Sequence, residues 1–171
     1  MSTRNDVLDQ GIQRLRIATH LAEIQHLVVH TARGAVAAEG ATFVVRDDDQ
    51  CFYVDEDAAS PLWQGQRFPL TACISGWAML HGETAIVADV ERDPRVPYEA
   101  YRPKFVRSLV MTPVAPAGGE AIAAIGAYWS AVREATDEEV GSIALLATAT
   151  MAALERVGLD HAPFLPADWP T

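Results

Sequence analysis

The sequence predicts a mixed α/β domain of the α+β kind, a layer of antiparallel strands packed with helices. Three observations carry that prediction. Short β-rich runs follow one another across turn-forming links, as antiparallel neighbours allow. Sustained helical periodicity is confined to the two ends of the chain and one brief stretch around Trp77. One link, DVERDPRVPYEAYRPKFVRS from Asp89 to Ser108, far exceeds the roughly four to six residues of an ordinary connection.

A first amphipathic helix is predicted over Asn5–Ala18, where Leu8, Ile12 and Leu15 fall on one side. A second helix, or a kinked continuation, covers Thr19–Ala38: Leu21, Ile24, Val28 and Ala35 form its stripe, with Glu23, His26, His30 and Arg33 on the wetter side. Gly40 closes it. Ala41–Arg46 then starts the sheet on Phe43, Val44 and Val45, and the turn Asp47–Asp49 leads into a return strand, Cys51–Asp55. Gln66–Leu70 is a short third strand. Cys73–His81 reads as a short helix with Ile74, Trp77, Ala78 and Leu80 turned inward and Gly82 placed to stop it. Strands resume at Thr84–Val87, Leu109–Val114 and Ile122–Ser130, completing an antiparallel meander. Thr136 with Glu139 is a capping box opening a last helix that reaches about Val157. No charge interrupts it between Glu139 and Glu155, so it needs burial on more than one side, against the N-terminal helix or a symmetry mate. That uncharged stretch is too short for a bilayer span.

The 171 residues are 50% hydrophobic, enough for one domain around one core. A formal charge of −10 repels phosphate backbones and anionic lipid, so neither nucleic acid nor a membrane is an expected partner. Met1–Ala18 has no signal-peptide core, and the expected location is the cytoplasm. Cys51 and Cys73 are too few for a disulfide framework and are expected reduced.

Three runs, PLWQGQRFPLTACISGWAMLHGE (Pro61–Glu83), AIVADVERDPRVP (Ala85–Pro97) and AYRPKFVRSLVMTPV (Ala100–Val114), resemble the GAF domain family, most of all modules found beside bacterial sensor kinases. The resemblance implies an antiparallel sheet of about six strands flanked by helices on both faces, with the terminal helices on one face. On the other it implies a ligand pocket under the short helix and the long loop. It divides the chain into an N-terminal helix (1–18), a GAF domain (19–158) and an irregular tail (159–171). The function it implies is cytoplasmic sensing. An unidentified small molecule binds between sheet and lid loop, and the signal passes through a helical homodimer interface to a histidine kinase or other signalling protein. A dimerisation module without a ligand, and a thiol-based redox enzyme, are the alternative readings.

Under that reading the long loop is a lid, with Asp89, Arg92, Asp93, Tyr98 and Tyr101 offering polar tips and Phe105 an apolar body. Cys73, Ser75 and Trp77 face it from the short helix, and Ser108, Met111 and Tyr128 from the strands, with Trp63 as a further wall. The plainer reading is that Arg92 pairs with Asp89 or Asp93 only to pin the loop, that Arg102 or Arg107 does likewise, and that Trp77 fills the space itself. Cys73, at a helix start where the dipole favours thiolate, is either reactive or a core filler; Cys51 is read as structural. No cofactor or metal is expected. A Cys-His pair of the bilin-attaching kind is absent, the cyclic-nucleotide constellation is not traceable, and His26 and His30 lack a third ligand. The family also holds the free methionine sulfoxide reductase, whose cysteine lies where Ser75 stands. Its resolving cysteine has no counterpart in the long loop, so that activity is not expected.

Overall fold

Thr3 begins the ordered architecture: its hydroxyl accepts the Asp6 amide at 3.1 Å while the Asp6 carboxylate accepts the Thr3 amide at 2.9 Å. From there the computed structural model describes residues 3–158. Helix α1 (Arg4–Ile17) and α2 (Leu21–Ala35) precede strands β1 (Gly40–Asp47), β2 (Gln50–Ala58) and β3 (Arg67–Pro69). A 3-10 turn (Leu70–Ala72) leads into α3 (Ile74–His81) and β4 (Ala85–Val87), and the long link carries α4 (Tyr98–Tyr101). Strands β5 (Ser108–Val114) and β6 (Ala123–Trp129) and helix α5 (Asp137–Val157) complete the domain. The tail expected over 159–171 lies outside the described residues.

The six strands form one antiparallel sheet in the order β3-β2-β1-β6-β5-β4. It is two three-stranded meanders joined where β1 meets β6, Phe43 opposite Ile125, so one continuous meander is not what forms. Only that long-range pair lets one sheet carry two complete faces.

Side-chain alternation sends Phe43, Val45, Phe52 and Val54 to one face, where Ile24, Val28, Ile143, Leu146 and Leu154 cover them. Val44, Cys51, Tyr53, Met111 and Tyr128 go to the other face, under α3 and the long link. Helices therefore flank both faces.

Helix α5 resolves its uniform apolarity within the chain, by packing on α1, α2 and β5. Arg156 donates to the carbonyls of Leu15 (2.6 Å) and Ala18 (2.8 Å), and Arg4 reaches Glu139 at 3.5 Å, so both ends of α5 are tied to α1. The full helix, at 21 residues, is long and apolar enough to cross a membrane, which corrects the estimate from its uncharged stretch; Ile143, Leu146 and Leu154 are occupied in the domain's own core.

Two local readings change. Gly40 opens β1 instead of closing α2, because a Cβ there would meet Phe105 Cζ at 3.0 Å, and α2 already ends at Ala35. Leu80, expected inward, is 49% exposed on the outer side of α3; Cys73 stands just before the helix as its N-cap, its backbone extended at φ −149° and ψ 156°.

Candidate functional site: the roofed face of the sheet

The long link folds back over the sheet. Val90, Val96, Tyr101 and Val106 are buried beneath it, and the Val90 amide donates to the Arg107 carbonyl at 2.9 Å, closing its two ends together. Asp93 and Arg95 hold the first half: Arg95 Nε and Nη2 bind the Asp93 carboxylate at 3.0 and 2.7 Å, and Nη2 also donates to the Ile86 carbonyl at 3.1 Å. The Arg95 guanidinium holds the Asp93 carboxyl below its ordinary range. Ion pairs do pin this loop: Arg92 pairs with Asp89 as the plainer reading expects, and Arg95 with Asp93 is the tighter and less exposed pair. Arg92 is 89% exposed along its side chain and only 3.7 Å from Asp89.

A second segment, between β2 and β3, supplies the plug. The Glu56 carboxylate accepts the amides of Leu62, Trp63 and Gln64 at 2.8, 2.9 and 2.6 Å, which fixes the backbone around Trp63. Trp63 then enters the roof, donating Nε1–H to the Ala100 carbonyl at 3.2 Å. Its ring centroid lies 5.7 Å from Tyr53, 4.6 Å from Tyr101 and 5.6 Å from Tyr128, tilted or edge-on as aromatic quadrupoles prefer. What is left beneath, lined by Tyr53, Trp63, Phe68, Cys73, Pro97 and Tyr101, is a crevice of about 10 Å³. That is room for about one water molecule, against roughly 300–1,000 Å³ for a drug-sized ligand.

The twelve residues expected to line a pocket therefore part company. Cys73 and Tyr101 border the crevice. Ser75 is fully buried just behind it, its hydroxyl 3.2 Å from Tyr53 Oη and 3.3 Å from Cys73 Sγ. Tyr128 and Met111 form the floor, the Tyr128 hydroxyl bonded to Thr42 Oγ1 at 2.8 Å. Phe105 packs at the roof's edge, and Ser108 donates to the Ala131 carbonyl at 2.7 Å. Trp77 lies outside, half-buried, stacked on His81 at 4.4 Å with the Arg95 guanidinium 4.7 Å over its ring. Asp89 and Asp93 cap turns in the loop, while Arg92 and Tyr98 face solvent.

The reactive feature is sulfur. Cys73 Sγ, on the α3 N-cap, lies 3.1 Å from Cys51 Sγ on β2, and both residues are buried. Cys73 Sγ also accepts the Gly76 amide at 3.4 Å and the Ser75 hydroxyl at 3.3 Å. Gly76 is required for this approach, because a Cβ there would collide with the Leu70 carbonyl. The hydrogen bond shared with Cys51, with help from Ser75 and the Gly76 amide, lowers the Cys73 thiol from an ordinary 9.0 to about 7 against the opposing effect of burial. The same bond, together with burial, pushes the Cys51 thiol up, so Cys51 is the partner that keeps its proton.

Residues 18–155 match the model of the GAF domain family. The chain belongs to the GAF domain family. Among solved structures, this GAF chain is similar to a free methionine-R-sulfoxide reductase from Neisseria meningitidis in complex with its substrate, at TM-score 0.77 and 19% identity, covering 90% of this chain and 89% of that one. It is similar to the GAF domain of an Acinetobacter phosphoenolpyruvate-protein phosphotransferase at TM-score 0.76 and 12% identity, over 91% and 96% of the two chains. A third relative is the chromophore-binding domain of a bacteriophytochrome from R. palustris, at TM-score 0.73 and 12% identity, over 90% of this chain and 61% of that one. At these identities each likeness is one of fold. No curated protein matches the chain.

Sequence reasoning reads Cys51 as structural and looks for a thiol partner only in the long loop. The signal for Cys51 is nonetheless present: it stands two residues from Tyr53 on one strand, so both share the face that α3 covers.

Proposed function

We propose that this GAF domain is a cytoplasmic regulatory module whose roofed face receives the input and whose helical face carries the output by pairing with a second copy. The closed roof carries the reading on the input side. With Trp63 seated, the space over the sheet accepts a molecule no larger than about a water. A metabolite would enter only if Trp63 withdrew, so the domain as it stands is a packed module and not an open receptor. On the output side, Gly141, Ala144, Leu145, Thr148 and Ala152 make an exposed, uncharged stripe along α5. Leu145 is 60% exposed there. Pairing through this stripe would couple the roof to a histidine kinase or other signalling protein by changing the packing of α1 and α5, provided the two arrangements have unequal affinity for the input.

The test is the solution mass of Leu145→Glu. A charge on the stripe should convert a dimer to a soluble monomer with an unchanged unfolding midpoint, by light scattering and denaturant titration. A wild-type protein that is already monomeric, or a dimer indifferent to the substitution, would overturn the pairing. Leu146 is not an equivalent target, since it is 0% exposed and faces the core.

A further inference from the structure

We propose that Cys51 and Cys73 are a peroxide-oxidised dithiol, converted to a disulfide by hydrogen peroxide entering the crevice beneath Trp63 and Tyr101. The inference concerns the roofed face alone and stands whether or not α5 pairs with a second copy.

Geometry supplies the partners. The two sulfurs are in contact at 3.1 Å, so closing to the roughly 2.05 Å of a disulfide bond takes a movement of about 1 Å, and they belong to elements that hold them together, β2 and the N-cap of α3. Access selects the oxidant. Cys73 is 5% exposed and borders a crevice of about 10 Å³, room for about one water, so hydrogen peroxide enters with a small shift of the roof while a glutathione disulfide is excluded. A polar anchor is in place. Tyr101 lines the same crevice, and its buried hydroxyl has no hydrogen-bond partner among the described residues, so it is available to a small polar guest.

The surroundings favour Cys73 as the nucleophile. The Ser75 hydroxyl and the Gly76 amide both donate to its sulfur, while Tyr53, Tyr101 and Tyr128 around it are kept neutral, burial pushing each of these hydroxyls up. Arg46 is the charged side chain that acts on the pair, through Cys51.

The chemistry balances in two steps. Cys73 gives its proton to solvent, and its thiolate attacks one peroxide oxygen. The O–O bond breaks, leaving Cys73 sulfenic acid and a hydroxide that takes up the released proton as water. Sulfur is oxidised by two electrons and peroxide reduced by two. Cys51 sulfur then attacks the sulfenic sulfur. The S–O bond breaks, the Cys51 proton leaves with that hydroxide as a second water, and the disulfide remains. Cys73 Sγ thereby ceases to be an anionic acceptor for Gly76 and Ser75 at the start of α3, the helix whose Trp77 lies under Arg95 of the roof.

The experiment treats the full chain with hydrogen peroxide under native conditions, then alkylates it after denaturation and reads intact mass and peptide map. The expected result is a loss of two hydrogen atoms, no alkylation, and one peptide joining Cys51 to Cys73 that a dithiol reductant releases. Cys51→Ser should stop at a Cys73 sulfenic acid that a dimedone-type nucleophile captures, while Cys73→Ser should leave Cys51 unoxidised. Tyr101→Phe should slow disulfide formation about tenfold, the effect of one lost hydrogen bond. Two freely alkylated thiols after peroxide, or a disulfide joining two chains, would overturn the proposal. Should a variant fail to fold, the wild-type protein still separates these outcomes, because the peptide map alone distinguishes them.

Discussion

On the helical side of the sheet, Phe43, Val45, Phe52, Ile125, Ile143 and Leu154 meet as hydrocarbon on hydrocarbon. On the roofed side, Tyr53, Trp63, Tyr101 and Tyr128 enclose two thiols and a serine hydroxyl. A hydrocarbon layer is held by area and fit, and volume-conserving changes in it are tolerated. An aromatic layer with polar tips must also place every donor and acceptor, and its failures are specific. Each side has one buried polar atom without a partner among the described residues, Gln25 Nε2 on α2 and Tyr101 Oη on α4, but only Tyr101 borders a reactive group. Two equally buried faces of one sheet thus do different work. One is covered by helices whose outermost member, α5, leaves an uncharged stripe exposed, and the other seals a thiol pair.

That contrast breaks first at Trp63. Trp63→Ala should lower unfolding free energy by about 3–5 kcal/mol and leave a cavity shaped for an indole. Added indole should then restore part of the lost denaturant midpoint by binding the folded state. A loss below about 1 kcal/mol would mean that the roof is not a packed layer at all.

A smaller effect should follow at the roof's ion pair. Arg95 lowers the Asp93 carboxyl from its ordinary 3.8, so the pair stabilises the fold above that value and its contribution fades as pH falls below it. Both side chains are partly exposed, and Asp93→Asn should therefore cost no more than about 1 kcal/mol at neutral pH. The difference from wild type should shrink in denaturant titrations as pH is taken progressively below 3.8. A difference that persists in acid would assign Asp93 a role as turn former alone.

Most of the architecture could be read from local pattern. The capping box at Thr136 and Glu139, the Gly82 stop and the alternating strands each depend on neighbours in the chain. What escaped depends on contacts across it. Gly40 has the look of a helix terminator until Phe105, 65 positions later, occupies the space its missing side chain leaves. The β1–β6 pair joins the two halves of the sheet at its centre, Phe43 meeting Ile125 across an even longer stretch of chain. At the site, Cys73, Tyr101 and the sense of the loop as a cover were legible from composition and resemblance. Trp77, expected as a wall, lies outside because one turn of a short helix decides between facing the sheet and facing Arg95. Trp63 was named as a wall, but its role as plug depends on Glu56, whose carboxylate gathers three amides that no periodicity reveals.

The most direct test of a sealed, polarised thiol pair is the ultraviolet absorbance of thiolate in the reduced native protein as pH is raised. One thiolate should appear with a midpoint of about 7 and vanish in Cys73→Ser, while Cys51 stays protonated until the fold is lost. Two thiolates rising together near the ordinary value of 9.0 would contradict the account.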